Sequence, residues 1–506
     1  MAYYLATSSG RSKTIFLFGV LSAFWSSVLV RTFAWILILG RHGVIDETMR
    51  VFGFDSHSWQ LIYNSLSVLV GMSHALMPLG ILTMLSVMQN IESVYGRAAA
   101  TLGASGPHVF WRIYFPMSLP GVAAAALLIF VTAIGYFITP TMLGGPKDVM
   151  IAQIIVQQID QMLDFGFAGA VAVLLLVATC VVFLIFDRML GMAVLTGDTN
   201  SRNIDEVSRI RHRLNSLGRK LVAVAGWLSA YTVAIFHRWI KVTRVPSMNG
   251  RFVLYGLSLL VVAFLAGPSL FLIPLSFTSD TGFQWPPHGF SLQWYSEYFT
   301  SPIWIGATLR SLLVAFLTSF FALFLGVPAA FVLSRQNIYG KSAIIVLMLM
   351  PMIIPRIIVA LALFYAFSKV GLLGTSTGLI LGHTVFALPY VVITMMAVLR
   401  TYDTRLDYAA YTMGASKFAT FRYVTFPLMG AGIATAFLFS FVQSFDELTV
   451  ALFVNGGVTT TLPRQLWSEA LMNTTPTLAA VSTVIFLFVL VVIFGVESIR
   501  RIRFKS

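Results

Sequence analysis

Roughly ten runs of about 20 or more apolar residues leave this chain few folds to choose from. They lie at 14–39, 62–88, 118–139, 166–186, 252–276, 306–333, 342–367, 376–399, 429–451 and 478–497. A segment buried in hydrocarbon must satisfy its backbone N–H and C=O groups internally, so each run is expected to be helical. A membrane barrel would alternate apolar and polar residues over about ten positions, and these runs do not alternate. Charged residues make up 10% of the chain, against about 25% in an ordinary soluble domain. The fold class is an all-α polytopic membrane protein of about ten helices.

A short block occurs twice between these runs. The first copy is Arg97-Ala98-Ala99-Ala100-Thr101-Leu102-Gly103-Ala104-Ser105, followed by Ile113-Tyr114-Phe115-Pro116. The second is Tyr408-Ala409-Ala410-Tyr411-Thr412-Met413-Gly414-Ala415-Ser416, followed by Val424-Thr425-Phe426-Pro427. In each, two alanines precede a glycine by four and five positions, and a proline follows it by 13 (116 − 103 and 427 − 414). The glycines are 414 − 103 = 311 residues apart. Two related membrane halves each present the same loop.

Charge orients the halves. The net charge of +14 comes largely from loops, above all 188–250, with Arg209, Arg211, Arg213, Arg219 and Lys220, and from Arg500, Arg501, Arg503 and Lys505 near the C-terminus. Basic loops stay cytoplasmic, so these segments and both repeated loops are expected to face inward, and a nucleic-acid partner is not expected. Six apolar runs separate the two loops, an even number, as same-side placement requires. Residues 221–237 would make a seventh crossing and are therefore read as an amphipathic helix lying on the inner surface. The expected domains are a first half at 1–187, a basic linker at 188–250, a second half at 251–499 and a tail at 500–506. The lone Cys180 lies in an apolar run, excludes a disulfide framework, and is expected to pack.

The loops have a local grammar. Residues 90–102 read as a helix that Gly103 stops, because glycine accepts the left-handed cap conformation. Ser105 then reads as the N-cap of a second short helix that Pro116 ends or kinks. Gly414, Ser416 and Pro427 repeat the pattern, and the alanines leave room for another surface to approach.

On these residues the loops resemble the E-A-A-x-x-x-G coupling motif, with its downstream proline, of type I ABC importer permeases. The stretches SAFWSSVLVRTFAW (22–35), GYFITPTMLGGPKDVMIAQ (135–153) and SFDELTVALFVNGGVTTTLPRQLWSEA (444–470) are similar to polyamine-type permeases, as is Pro286-Pro287-His288-Gly289-Phe290-Ser291. The resemblance implies two homologous type I transmembrane halves fused in one chain of a bacterial inner membrane. It also implies a cytoplasmic ATPase dimer that docks on Ala98, Ala99, Gly103, Pro116, Ala409, Ala410, Gly414 and Pro427, and an extracytoplasmic solute-binding protein. Related permeases carry polyamines, ferric iron, thiamine, opines or phosphonates, with polyamine leading.

Two departures stand out. The motif's glutamate is Arg97 in one copy and Tyr408 in the other. The first half also lacks a counterpart to about residues 250–328, which points to a start upstream of Met1, or else to a ten-helix fusion.

Acidic residues are scarce in the apolar runs, and ionisable groups there tend to be functional. Asp446 and Glu447 fall late in 429–451, and the repeat sets Gly135 and Tyr136 opposite them. A cationic substrate could meet this pair, with Tyr136 and Phe137 as cation–π faces; alternatively the carboxylates cap a helix or pair with Arg464. Arg31, Arg310 and Arg356 are read as interfacial or snorkelling, and His383 as packed or path-facing. The chain has no phosphate-loop, HExxH or clustered Cys/His signature, so no catalysis, cofactor or metal is expected here, and ATP hydrolysis falls to another chain. The competing class is an ion-coupled secondary transporter, which predicts broken helices and carboxylates in both halves.

Overall fold

The computed structural model describes residues 1–53, 60–190, 250–336, 338–455, 460–472 and 475–503. The linker, including the helix expected at 221–237, lies outside them. In chain order the helices are α1 (Ala2–Thr7), α2 (Arg11–Trp25), α3 (Val28–Leu39), α4 (Val44–Val51), α5 (Ser65–Met88), α6 (Ser93–Thr101), α7 (Gly106–Val109), α8 (Phe115–Ile134), α9 (Ile138–Leu143), α10 (Ile151–Asp160) and α11 (Phe165–Leu190). There follow α12 (Gly250–Leu275), α13 (Gln293–Thr300), α14 (Pro302–Arg335), α15 (Lys341–Ile353), α16 (Arg356–Lys369) and α17 (Ser376–Thr401). The last are α18 (Arg405–Thr412), α19 (Lys417–Thr420), α20 (Phe426–Phe445), α21 (Thr449–Val454), α22 (Leu462–Met472) and α23 (Pro476–Arg503).

Eight helices among the described residues are long and apolar enough to cross a membrane. A ninth crossing arises if α15 and α16, bent by 101° at Ile354-Pro355, form one span, and the apolar part of α23 covers 476–492. Counting the bent pair once, the described residues give six candidate crossings between the repeated loops. Several apolar runs are not single helices. The run 14–39 breaks at Ser26-Ser27, 118–139 breaks after Ile134, and 429–451 breaks after Phe445. Hydropathy averaged along the chain passes over such breaks, since apolar residues resume within three positions of each.

The repeat persists in the helices. Shifting by 311 carries the start of α5 onto α17 (376 − 65), the end of α8 onto α20 (445 − 134), and both ends of α9 onto α21 (449 − 138, 454 − 143). It also carries the starts of α10 and α11 onto those of α22 and α23 (462 − 151, 476 − 165).

The chain divides into two compact units, residues 1–24, 72–133 and 177–267 in one, and 25–71, 134–176 and 268–506 in the other. In the first, Leu5, Val20 and Leu265 are fully buried, with Ile81 and Leu85 beside them. There α2 and α12 approach so closely that a Cβ on Gly19 would lie 2.6 Å from Val262. In the second unit Ala322, Ala330, Ala387, Val391 and Ala436 form the seam of α14, α17 and α20. Small residues suit helix packing in lipid, where burial of apolar groups drives nothing and only close backbone approach gains dispersion energy. Cys180 is exposed, which corrects its expected packing role: its side chain lies on an outer face of α11, away from the helices of this chain.

Candidate functional site

The two repeated loops adopt the same turn. Gly103 has φ +85° and Gly414 φ +86°, and a Cβ on either would meet nothing within 4 Å. Space is not what calls for glycine there; the left-handed backbone is. In the first loop Gly103 N–H donates to Ala100 O at 3.0 Å and Ala104 N–H to Ala99 O at 3.0 Å. In the second, Gly414 N–H donates to Tyr411 O at 3.0 Å and Ala415 N–H to Ala410 O at 3.0 Å. Both are the paired 5→2 and 6→1 bonds of a Schellman stop, which satisfies the last carbonyls of α6 and α18. The preceding residues, Leu102 and Met413, are each 88% exposed. Each loop therefore presents an apolar side chain at the apex of its turn.

Beyond the turn the halves differ. Ser416 caps α19, its hydroxyl accepting from Ala419 N–H at 3.2 Å. Ser105 stands at the corresponding place, just before α7, and its hydroxyl lies 2.7 Å from His108 Nδ1. Of the two outcomes expected of the prolines, an end or a kink, the first does not occur. Neither Pro116 nor Pro427 ends a helix; a π-turn at Phe110–Tyr114 and another at Phe421–Thr425 carry the chain into α8 and α20. The widened turn, with Phe115 N–H on Phe110 O and Phe426 N–H on Phe421 O, keeps the helix bonded just ahead of a residue that has no N–H to give.

The second unit also holds the acidic pair, at the break between α20 and α21. Asp446 Oδ2 accepts from Val28 N–H, at the start of α3, at 3.3 Å. Arg31 is 5% exposed and, with Tyr136, lies in electrostatic reach of Asp446. Glu447, 1% exposed, takes another partner: Arg356 Nη1 donates to its Oε2 at 3.0 Å. Its Oε1 accepts from Thr449 N–H at 3.0 Å and Val450 N–H at 3.3 Å, capping α21. Arg464, the alternative partner from sequence, instead donates to Ala451 O and Asn455 O at the other end of α21. A six-residue buried helix is thus held with an anion at its positive end and a cation at its negative end.

Tyr136 and Asp446 come together at the two corresponding helix breaks, while Glu447 turns toward the bent pair. Arg356, read from sequence as interfacial or snorkelling, starts α16 just past the bend at Pro355 and is the ion-pair partner of Glu447. Gly135 packs there too: a Cβ on it would lie 2.6 Å from Pro355 Cβ. His383 is packed, its Nδ1 2.8 Å from Ser444 Oγ. Breaks occur in both halves, but among the described residues the carboxylates at the break stand only in the second, where Asp446 and Glu447 face Gly135 and Tyr136 in the repeat.

Sequence reasoning passed over Asp407, one position before the site of the missing motif glutamate. It is 4% exposed and accepts from Arg335 Nη1 at 2.6 Å, Tyr402 Oη at 2.6 Å and Thr425 Oγ1 at 2.9 Å. The available signal was an acid in the first turn of a helix whose naming acid is absent.

Residues 2–194 and 322–504 match the family described as binding-protein-dependent transport system inner membrane component. The chain is 30% identical over 260 residues to the spermidine/putrescine transport system permease protein PotC of Escherichia coli (strain K12), covering 51% of this chain and 98% of that protein. It is 23% identical over 424 residues to the ferric transport system permease protein FbpB of Actinobacillus pleuropneumoniae, covering 83% of this chain and 56% of that one. A solved bacterial ABC transporter involved in alginate import aligns with 51% of this chain and 99% of its own at 17% identity, TM-score 0.39. With two matched segments, a duplicated loop and at least eight apolar spans, the chain belongs to the binding-protein-dependent inner membrane components, the permeases of ABC importers.

Proposed function

We propose that this chain supplies both transmembrane halves of an ATP-driven importer for a polyamine or a similar small solute, in a bacterial inner membrane. The observation that carries the reading is the pair of identical glycine turns, each with an exposed apolar apex, Leu102 or Met413. Two equal knobs suit two equal grooves, as an ATPase dimer would offer. Closure of that dimer on ATP would pull on the turns around Gly103 and Gly414, and the halves would rock to open the path toward a loaded binding protein.

The polyamine reading is supported by the likeness to PotC; the likeness to FbpB keeps ferric iron as the alternative. Electrostatics sharpens the choice. Asp446 and Glu447 are matched in charge by Arg31 and Arg356 nearby, so the pair is not an open cation cage. A polyamine would have to displace Arg356, whose side chain is 44% exposed while that of Glu447 is 1% exposed. Breaks in both halves fit an ion-coupled carrier as well, but the one-sided carboxylates do not.

The test is a pull-down of the C-terminally tagged chain from native membranes in mild detergent, with mass spectrometry of the co-purifying chains, alongside radiolabelled spermidine uptake. Recovery of a phosphate-loop ATPase and ATP-dependent uptake are expected. Uptake that persists without ATP and follows an ion gradient would overturn the reading.

A further inference from the structure

Asp407 binds the second loop to its membrane helices in a way that nothing in the first loop matches among the described residues. The residue sits in the first turn of α18, and its three donors come from three other places. Arg335 is the last residue of α14, Tyr402 follows the end of α17, and Thr425 ends the π-turn that leads into α20. One buried carboxylate thus joins α18 to the loop-side ends of all three helices of the alanine-rich seam. The joint is stiffened from outside: the Arg335 guanidinium lies 4.4 Å from the Phe331 ring centroid and 5.0 Å from that of Tyr402. Charge-assisted bonds to a buried carboxylate are short, directional and costly to leave unmade.

The 311-residue shift places Gly96 opposite Asp407, Ile91 opposite Tyr402 and Tyr114 opposite Thr425, while Thr7, the last residue of α1, stands opposite Arg335, the last of α14. No carboxylate or guanidinium stands at these positions. The first loop is held by aromatic edges instead, Tyr3 against Phe110 at 5.2 Å and against Tyr114 at 4.8 Å. Such ring contacts are weaker and less sharply directional than charge-assisted hydrogen bonds, so they yield more readily than a three-donor carboxylate does.

We propose that Asp407 is a positioning residue that makes α18 move as one body with α14, α17 and α20, so that the second loop is the stiff arm of the transporter and the first a compliant one. The role in transport rests on the reading of the loops as ATPase docking sites; the mechanical asymmetry does not.

The experiment is hydrogen–deuterium exchange on the full chain in lipid nanodiscs, comparing amides of 408–412 with those of 97–101. In the native chain the second set is expected to exchange about tenfold more slowly, the worth of roughly one charge-assisted bond. Asp407→Asn should erase that difference without moving 97–101, while Arg335→Lys, which keeps the cation, should retain most of it. Equal exchange in the native loops, or no response to Asp407→Asn, overturns the proposal. With the co-purified ATPase, the same variant should lower spermidine transported per ATP hydrolysed and leave the KM for ATP unchanged. If bulky substitutions at both Gly103 and Gly414 leave uptake intact, the docking reading fails, and the exchange result still decides the asymmetry.

Discussion

Gly432 meets Val398 so closely that a Cβ on the glycine would lie 2.6 Å from one Val398 methyl and 3.2 Å from its Cβ. The same pair recurs 311 residues earlier, where a Cβ on Gly121 would lie 2.8 Å from Val87 Cβ. A second pair repeats at that spacing, Gly382 against Val450 at 2.7 Å and Gly71 against Thr139 at 2.6 Å. The helices of both halves therefore cross at corresponding glycines, because only there can backbones come close enough to gain dispersion energy without a hydrophobic drive. Gly432→Leu and Gly121→Leu should each lower stability by about 1–3 kcal/mol through overpacking. Thermal unfolding in detergent measures this, and an unchanged midpoint in both variants counts against the crossing.

Gly103→Val and Gly414→Val test the turns. A β-branched residue at φ near +85° costs about 1–3 kcal/mol locally, which is enough to unmake a Schellman stop and too little to unfold a membrane bundle. Membrane insertion should persist while uptake is lost. Normal uptake in both variants would sink the coupling assignment.

Leu102→Asp and Met413→Asp separate docking from folding. Each side chain is 88% exposed, so its loss should shift stability by no more than about 0.5 kcal/mol. Co-purification of an ATPase should fall sharply with either change and vanish with both. If recovery is undiminished in the double variant, the exposed apexes are not the docking points.

Glu447 carries two duties, pairing with Arg356 and capping α21. Glu447→Ala removes both and should cost about 2–4 kcal/mol, since it leaves a cation and two N–H groups unpaired. Adding Arg356→Met should recover part of the loss by removing the stranded charge. A double-mutant cycle reads the coupling, and additive losses would show that the ion pair contributes nothing.

Asp407 gives a pH dependence. Burial alone would push its carboxyl up, but hydrogen bonds from Tyr402, Thr425 and Arg335 outweigh burial and hold it below the ordinary range. With the folded value under the unfolded value of about 3.9, its stabilisation is fully present above about pH 4 and fades as pH falls toward the depressed value. Unfolding midpoints measured from pH 6 to pH 3 should drop less steeply at the acid end in Asp407→Asn than in the native chain. Parallel curves would assign the acid sensitivity elsewhere.

The class of fold, the duplication, the loop helices and the glycine stops were legible because they depend on short-range rules. Length and apolarity decide a span, and a glycine four residues after an alanine pair decides a turn. The breaks after Ile134 and Phe445 and the bend at Pro355 were hidden, since apolar residues resume within three positions of each. The π-turns were hidden too, because proline in a sequence reads as a stop until a longer-range hydrogen bond is seen to carry the chain past it.

What the sequence by itself determined is a pair of membrane halves, each with a glycine-stopped loop of one design. Only the tertiary structure decided which charge answers which. Asp446 finds its partner 418 residues away at Val28, Glu447 finds Arg356 across 91, and Asp407 finds Arg335 across 72. A buried charge must be compensated by whatever the fold brings near, and that proximity is set by the packing of whole helices, which no local pattern encodes.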